Sequence, residues 1–203
     1  DPTAGPSSTT TYSLTETITA TGCQQSNSVT ITVNPLPAAI VGPDQTICDL
    51  QCIQIGAPAV VGNTYAWTPP AFLDDSSISA PTANPSNTLV YTLIETVTAT
   101  GCQQTDSVTI YVNPVPVVTF SGLASSYCVD ASPVALSGSP VLGTFSGPGI
   151  SGNTFDPATV GVGGPYDISY VFIDGNGCSD TSTQTTTVNN LPVVSYSGLS
   201  GPY

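Results

Sequence analysis

Apolar and polar residues alternate along most of this chain. In residues 107–112, Val108, Ile110 and Val112 alternate with Ser107, Thr109 and Tyr111, the period of two that sets one strand face on a core and the other in water. The runs LVYTLIETVTA (from Leu89) and YDISYVFID (from Tyr166) read likewise and are rich in β-branched and aromatic residues, which suit a pleated, half-buried surface. Pro and Gly interrupt every window in which a helical period could establish itself. Asp174-Gly-Asn-Gly predicts a hairpin, with Asn-Gly supplying the positive φ angles of a tight turn. The expected class is all-β.

The pattern itself repeats. Residues 2–37 align without a gap on residues 81–116, 79 positions later, with about two-thirds of the residues identical, and the heptad TATGCQQ at Thr19 returns at Thr98. A more diverged third copy places Cys178 76 positions after Cys102, and VVTFSGLASSY at Val117 returns as VVSYSGLSGPY at Val193, again 76 positions on. The expected organisation is therefore the C-terminal strands of a preceding unit (1–37), two whole units (38–116 and 117–192), and the first strand of a following unit (193–203). Alone, residues 1–37 would expose unpaired edges and an uncovered apolar face. A heptad duplicated this literally marks a copied building block, not an active site.

Roughly seven short strands in each unit of about 80 residues predict an immunoglobulin-like sandwich. Trp67 is expected on the third strand, filling the space between sheets. Tyr91 and Tyr170 are expected to open the penultimate strand and pin the corner leading into it. Between units lie Asn34-Pro-Leu-Pro, Asn113-Pro-Val-Pro and Asn189-Asn-Leu-Pro; proline favours an extended, semi-rigid spacer, so the array is expected to be a linear rod.

Composition narrows the chemistry. The 203 residues include no Lys, Arg or His against 13 acidic side chains, a formal net charge of -13. Phosphates cannot be neutralised by such a surface, which excludes nucleic acid and anionic lipid as partners. Ser-His-Asp triads, Cys-His pairs, Schiff bases and His-ligated metals are likewise excluded; an enzyme is not expected. No apolar stretch of about 18 residues is present, so direct membrane insertion is not expected. Salt bridges between side chains are impossible, and stability must come from burial, backbone ladders and cross-links.

Six cysteines among abundant Ser, Thr, Gly and Pro point to an oxidising compartment. Cys48 and Cys52 form the only close pair, which disfavours zinc. One disulfide reading pairs residues within a unit, Cys48 with Cys102 and Cys128 with Cys178. Against it, the turn before the second strand and the last hairpin normally lie at opposite ends of a sandwich. The other reading pairs Cys48 with Cys178 between units, and gives Cys23 and Cys102, like Cys128, partners outside this sequence. Cys48 with Cys52 is a third pairing. A Cys-Gln thioester at GCQQ would need a domain that buries the bond, and a Lys-Asn isopeptide cannot form without Lys.

GPDQTICDLQCIQIGAPAVVGNTYAWTPP, TLVYTL…GC…DSVTIYVNPVP and SYCVDASPVALSG with GTFSGPGISGNTFDPATVGVGGPYDISYVFIDGNGC together resemble the tandem PKD-like and Ig-like repeats of giant cell-surface adhesins of Bacteroidetes, including gliding-motility adhesins. The resemblance covers essentially the whole chain. It implies export by a type 9 secretion system, an extracellular, cell-surface location, and display as a stalk or filament; it transfers no catalytic residue. Cys52 stands where that pattern usually carries a small polar residue, and is left unassigned.

Three weaker signals complete the reading. Asp174, Asn176 and Asp180 alternate like a calcium loop, and Asp74 with Asp75 is a second acidic pair, but Gly177 is misplaced for an EF-hand and no bidentate Glu follows; no cofactor is expected. Scattered acids without a cleft do not make a glycosidase. Asp106-Ser-Val matches a short O-glycosylation pattern at Ser107. The expected function is structural, a stalk segment giving reach, stiffness and presentation, with neighbouring repeats of the same chain as partners. The alternatives are a carbohydrate-binding module recognising surface glycans, and a subunit of a filament built from like chains.

Overall fold

The alternating runs become strands in the computed structural model, which describes residues 2–195 and 197. The chain divides into two units, Asp1–Val112 and Asn113–Tyr203, each considered by itself. Most of residues 193–203, the expected first strand of a following unit, lie outside the described residues.

The first unit begins with a hairpin of β1 (Thr10–Thr17) and β2 (Gln24–Ile31), antiparallel from Thr10↔Ile31 to Thr17↔Gln24. It continues through β3 (Gln45–Cys48), β4 (Ile53–Gln54), β5 (Asn63–Thr68), β6 (Thr82–Ala83), β7 (Leu89–Val97) and β8 (Gln103–Asn113). One sheet has the order β3-β8-β7-β5 and a smaller one pairs β4 with β6. Between them Val41, Ile47, Ile55, Trp67, Ala83, Tyr91, Leu93, Val108 and Ile110 form the core. Trp67 lies on β5, the third-strand position, and its indole N–H donates to the Ile78 carbonyl at 2.9 Å, so the ring is buried without an unpaired donor. Burying each such side chain stabilises by about 1.5–3 kcal/mol.

The second unit comprises β9 (Thr119–Ser121), β10 (Ser126–Cys128), β11 (Val134–Ala135), β12 (Ser137–Ser139), β13 (Thr144–Ser146), β14 (Ile150–Ser151), β15 (Thr154–Phe155), the one-turn α1 (Pro157–Val160), β16 (Gly163–Ile173) and β17 (Ser179–Asn189). One layer has the order β10-β17-β16-β13. The other runs from β9 to β12 and, past Leu136, from β11 to β15 and β14. Its core lacks a Trp. Phe145 fills the centre, edge-on to Phe120 at 5.4 Å and tilted on Tyr170 at 4.5 Å. Asp156 caps α1 by accepting from the Ala158 amide at 3.0 Å and the Thr159 hydroxyl at 2.7 Å, with Pro157 where its missing N–H costs nothing.

Both units are thus β-sandwiches with immunoglobulin-like strand order, in tandem along the chain. Two expectations need correction. The strands are not a uniform seven: the first unit has six after its hairpin, with a lone bridge from Leu73 to Ala83, and the second has nine, of which only β16 and β17 are long. Nor do the tyrosines pin the corner before their own strand. Tyr91 donates from its hydroxyl to Ala71 at 3.1 Å. Tyr170, well inside β16, donates to Pro140 at 2.6 Å and accepts from the Gly143 amide at 2.7 Å. Each reaches across the sandwich to a loop beside the third strand, because its inward ring carries the polar tip to the far side of the core.

On the outward faces, hydroxyls pair across strands: Thr11 with Thr30, Thr15 with Ser26 and Ser169 with Thr183 at 2.8 Å, and Thr92 with Ser107 at 2.9 Å. Such pairs take the place of the ion pairs that this composition forbids.

Candidate functional site

The duplicated heptad makes the same turn twice. In the β1–β2 hairpin the Ile18 amide donates to Cys23 at 2.9 Å and the Gly22 amide to Ile18 at 2.8 Å; in β7–β8 the Val97 amide donates to Cys102 at 2.9 Å and the Gly101 amide to Val97 at 2.8 Å. Gly22 and Gly101 both have φ 72°, a conformation that L side chains resist. The first glutamine of each copy braces the hairpin, Gln24 to Thr17 at 3.2 Å and Gln103 to Thr96 at 3.1 Å. GCQQ is therefore a turn and its brace, and the cysteine sits at the tip.

In the second unit, Asp174 builds the equivalent tip. Its carboxylate accepts from the Asn176 amide at 2.9 Å and the Cys178 amide at 2.8 Å. The positive φ falls on Gly177 (84°) and not on Asn176.

Both bridges within a unit fail. Cys23, Cys52, Cys102 and Cys128 carry free thiols, which also removes the pairing of Cys48 with Cys52. Strand register gives the reason. β10 runs parallel to β17 with Cys128 opposite Asn189, whereas Cys178 precedes the first residue of β17. Eleven extended residues separate those levels by roughly 36 Å, against about 4.4–6.8 Å between bridged Cα atoms. In the first unit β3 holds the corresponding place beside β8, with the Thr109 amide donating to Asp44 at 2.8 Å. Cys52 instead accepts from the Asn84 amide group at 3.2 Å.

Glu95 is a buried structural residue that the sequence reading missed. It is 3% exposed, and its two oxygens accept from the Ala39 amide at 2.7 Å and the Asn63 side-chain amide at 2.6 Å. The contact fixes the incoming chain to the hairpin end of the first unit. The signal was present: Leu89, Tyr91, Leu93 and Glu95 share one face of β7, so the alternation itself points the carboxylate inward.

The calcium candidates are occupied by their own loops. Asp74 accepts from the Asp75 and Thr82 amides, both at 2.8 Å, Asp75 from the amide of Ser77 at 2.8 Å and its hydroxyl at 2.6 Å, and Asp180 from the Thr181 amide at 2.8 Å. These bonds hold the Asp74, Asp75 and Asp156 carboxyls below their ordinary value, led respectively by the Thr82 amide, the Ser77 hydroxyl and the Thr159 hydroxyl. Asp74, Asp75, Asp174, Asn176 and Asp180 are not gathered into a metal-holding group: among the described residues no three His, Cys, Asp or Glu side chains are so placed. Ser107 lies exposed on β8, its hydroxyl paired with Thr92.

An open groove of about 430 Å³ lies in the second unit, beside Ser137, Leu142, Gly143, Asn153 and Tyr170. Tyr170 is buried against Phe145, so the groove presents no open ring for a sugar. No helix among the described residues is long and apolar enough to cross a membrane.

No protein-family model matches the chain, and no curated protein sequence matches it. Solved structures do. A Ca2+-stabilized adhesin with which an Antarctic bacterium binds ice is similar at 12% identity and a TM-score of 0.41, over 92% of this chain and 58% of that one. An I-band fragment from titin is similar at 13% identity and a TM-score of 0.38, over 91% and 75%. Titin domains z1z2, solved in complex with telethonin, are similar at 15% identity and a TM-score of 0.31, over 76% and 96%.

Proposed function

We propose that this chain is a segment of a long extracellular array of immunoglobulin-like units whose work is mechanical: reach, stiffness and presentation of whatever the array carries. In this reading residues 1–37 end a preceding unit, 38–116 and 117–192 are whole units, and 193–203 begin the next. One observation carries it. Tyr12 and Leu14 of β1 are 39% and 74% exposed, whereas their equivalents 79 positions on, Tyr91 and Leu93, are 0% and 1% exposed. The hairpin bears the same inward face as β7–β8 without the second layer that covers it there. An uncovered face of this kind is costly in water, and its natural cover is the layer that β4 and β6 provide in the first unit.

Repeated sandwiches joined by proline spacers act as links whose stability is a sum of unit and neighbour terms. The narrower assignment, a Bacteroidetes adhesin exported by a type 9 secretion system, rests on the sequence resemblance. Antibodies raised against residues 38–192, applied with gold labelling to the source cells in the electron microscope, test the reading. Label along extended surface fibres is expected; label confined to the cell interior or to compact soluble particles overturns it.

A further inference from the structure

The β1–β2 hairpin matches the β7–β8 hairpin down to its register. Tyr12 stands opposite Val29 and Leu14 opposite Asn27, as Tyr91 stands opposite Val108 and Leu93 opposite Asp106. The five side chains that β7–β8 buries, Tyr91, Leu93, Glu95, Val108 and Ile110, recur unchanged as Tyr12, Leu14, Glu16, Val29 and Ile31. What differs is the company. β3 lies along β8, β5 along β7, and β4 with β6 forms the layer opposite, whereas β1 and β2 make a two-stranded sheet. Val29 is accordingly 61% exposed where Val108 is 1% exposed.

Glu16 is exposed, where Glu95 is buried on the Ala39 amide and the Asn63 side chain. A carboxylate on an apolar inward face tolerates only a cover that brings it donors. The chain's own β3–β6 cannot bring them to β1–β2. In the covered hairpin Ala39 meets Glu95, level with Gln104, and β8 ends at Asn113; nine extended residues separate those levels by roughly 30 Å. Were β1–β2 to take that place, Asn34 would stand at one level and Ala39 at the other, joined by five residues of chain that span at most about 18 Å. The connection is too short.

A layer of the second unit's kind is the wrong cover. β16 turns Ile168, Tyr170 and Phe172 inward, with no acid among them, so the strands packed on it fit an apolar stripe and would strand the charge of Glu16. We propose that the β1–β2 hairpin is a docking surface for strands with the chemistry of residues 38–80, joined ahead of it as 38–80 is joined ahead of β7–β8. Glu16 is the positioning residue that selects them, because it requires the two donors that Ala39 and Asn63 give to Glu95. The proposal rests on the array reading for the source of those strands; the fit belongs to the hairpin.

Because residues 2–37 align on 81–116 without a gap, a second copy of residues 38–80 placed directly ahead of Pro2 in the whole chain rebuilds the natural junction. Cys48→Ser and Cys52→Ser in the added copy keep it free of new thiols. Hydrogen exchange, followed by mass spectrometry on peptides from β1 and β2, should slow by about tenfold or more relative to the unextended chain. Glu16→Ala should abolish that slowing in the extended chain and change nothing measurable in the unextended one. Residues 117–162 placed ahead of Thr10 instead should give no slowing. A hairpin that exchanges as fast under 38–80 as without it, that is protected equally by 117–162, or that keeps its protection in Glu16→Ala overturns the proposal. Any of these results beside labelled surface fibres leaves the array reading standing, and a protected hairpin beside unlabelled fibres does the reverse.

Discussion

Glu95 and Ala39 are joined by a 2.7 Å hydrogen bond from the backbone amide of one to the buried carboxylate of the other, in a chain that has no cation to offer that carboxylate. Glu95→Ala would strand the Ala39 amide and the Asn63 side chain, at a cost of about 2–4 kcal/mol. Glu95→Gln should lose only about 1 kcal/mol, since Asn63 can turn its amide and donor and acceptor exchange roles. Urea unfolding of the two variants checks the order; equal losses would mean that the isosteric amide cannot replace a carboxylate that accepts through both oxygens.

Leu93 and Leu14 provide an internal comparison. Leu93→Ala should destabilise the first unit by about 2–5 kcal/mol. Leu14→Ala should cost less than about 0.5 kcal/mol, because its side chain is already in water. In a longer natural chain that supplies the covering strands, Leu14→Ala should become as damaging as Leu93→Ala. Thermal unfolding of the long and short chains tests this directly.

Gly138 lies under the Tyr170 ring, where any added Cβ would overlap its carbons. Gly138→Ala should cost about 1–3 kcal/mol through overpacking and loosen the loop that Tyr170 holds. Gly175→Ala, at a position open on all sides, should be nearly neutral. A melting temperature for each suffices.

Thr186 is buried on β17, and its hydroxyl is the one buried side-chain polar atom among the described residues that lacks a partner. Thr186→Val keeps the shape and removes the unmet donor, so it should stabilise the second unit by about 1 kcal/mol. A lower denaturant midpoint would show that the hydroxyl is satisfied in solution.

Acid should act through Asp74, Asp75 and Asp156. Their folded carboxyls titrate below the ordinary 3.8, so the unfolded chain binds more protons across that interval. Their stabilisation is complete above 3.8 and is lost as pH falls through the lower folded values. Burial raises the Tyr91 hydroxyl, so its contribution is complete below about 10 and disappears as pH rises beyond. With no His to titrate near neutrality, urea midpoints should be level across the neutral range and fall at both ends. Asp74→Asn should make the acid limb shallower.

The strands, the hairpin tips and the position of Trp67 were legible in the sequence because each depends on local alternation or on a turn residue. The partners of Tyr91 and Tyr170 were not, since Ala71 and Pro140 lie 20 and 30 positions away and only the packed sandwich brings them within reach. Division of the second strand into β11 and β12 depends likewise on pairing with two different neighbours. The cysteines fall between these cases. Spacing suggested a bond within each unit, and strand direction, which periodicity does not encode, placed the two sulfurs at opposite poles. Glu95 was missed for another reason: an acid at an inward position reads as a flaw in the alternation until the approaching backbone amide is seen.

The outward hydroxyl pairs have one more consequence. Thr92 with Ser107 and Ser169 with Thr183 are neutral on both sides, so dissolved ions find no opposite charges between the strands to screen. What brine does weaken is the mutual repulsion of the 13 acids. Concentrated salt, which erodes a surface laced with ion pairs, should leave this one intact or slightly firmer.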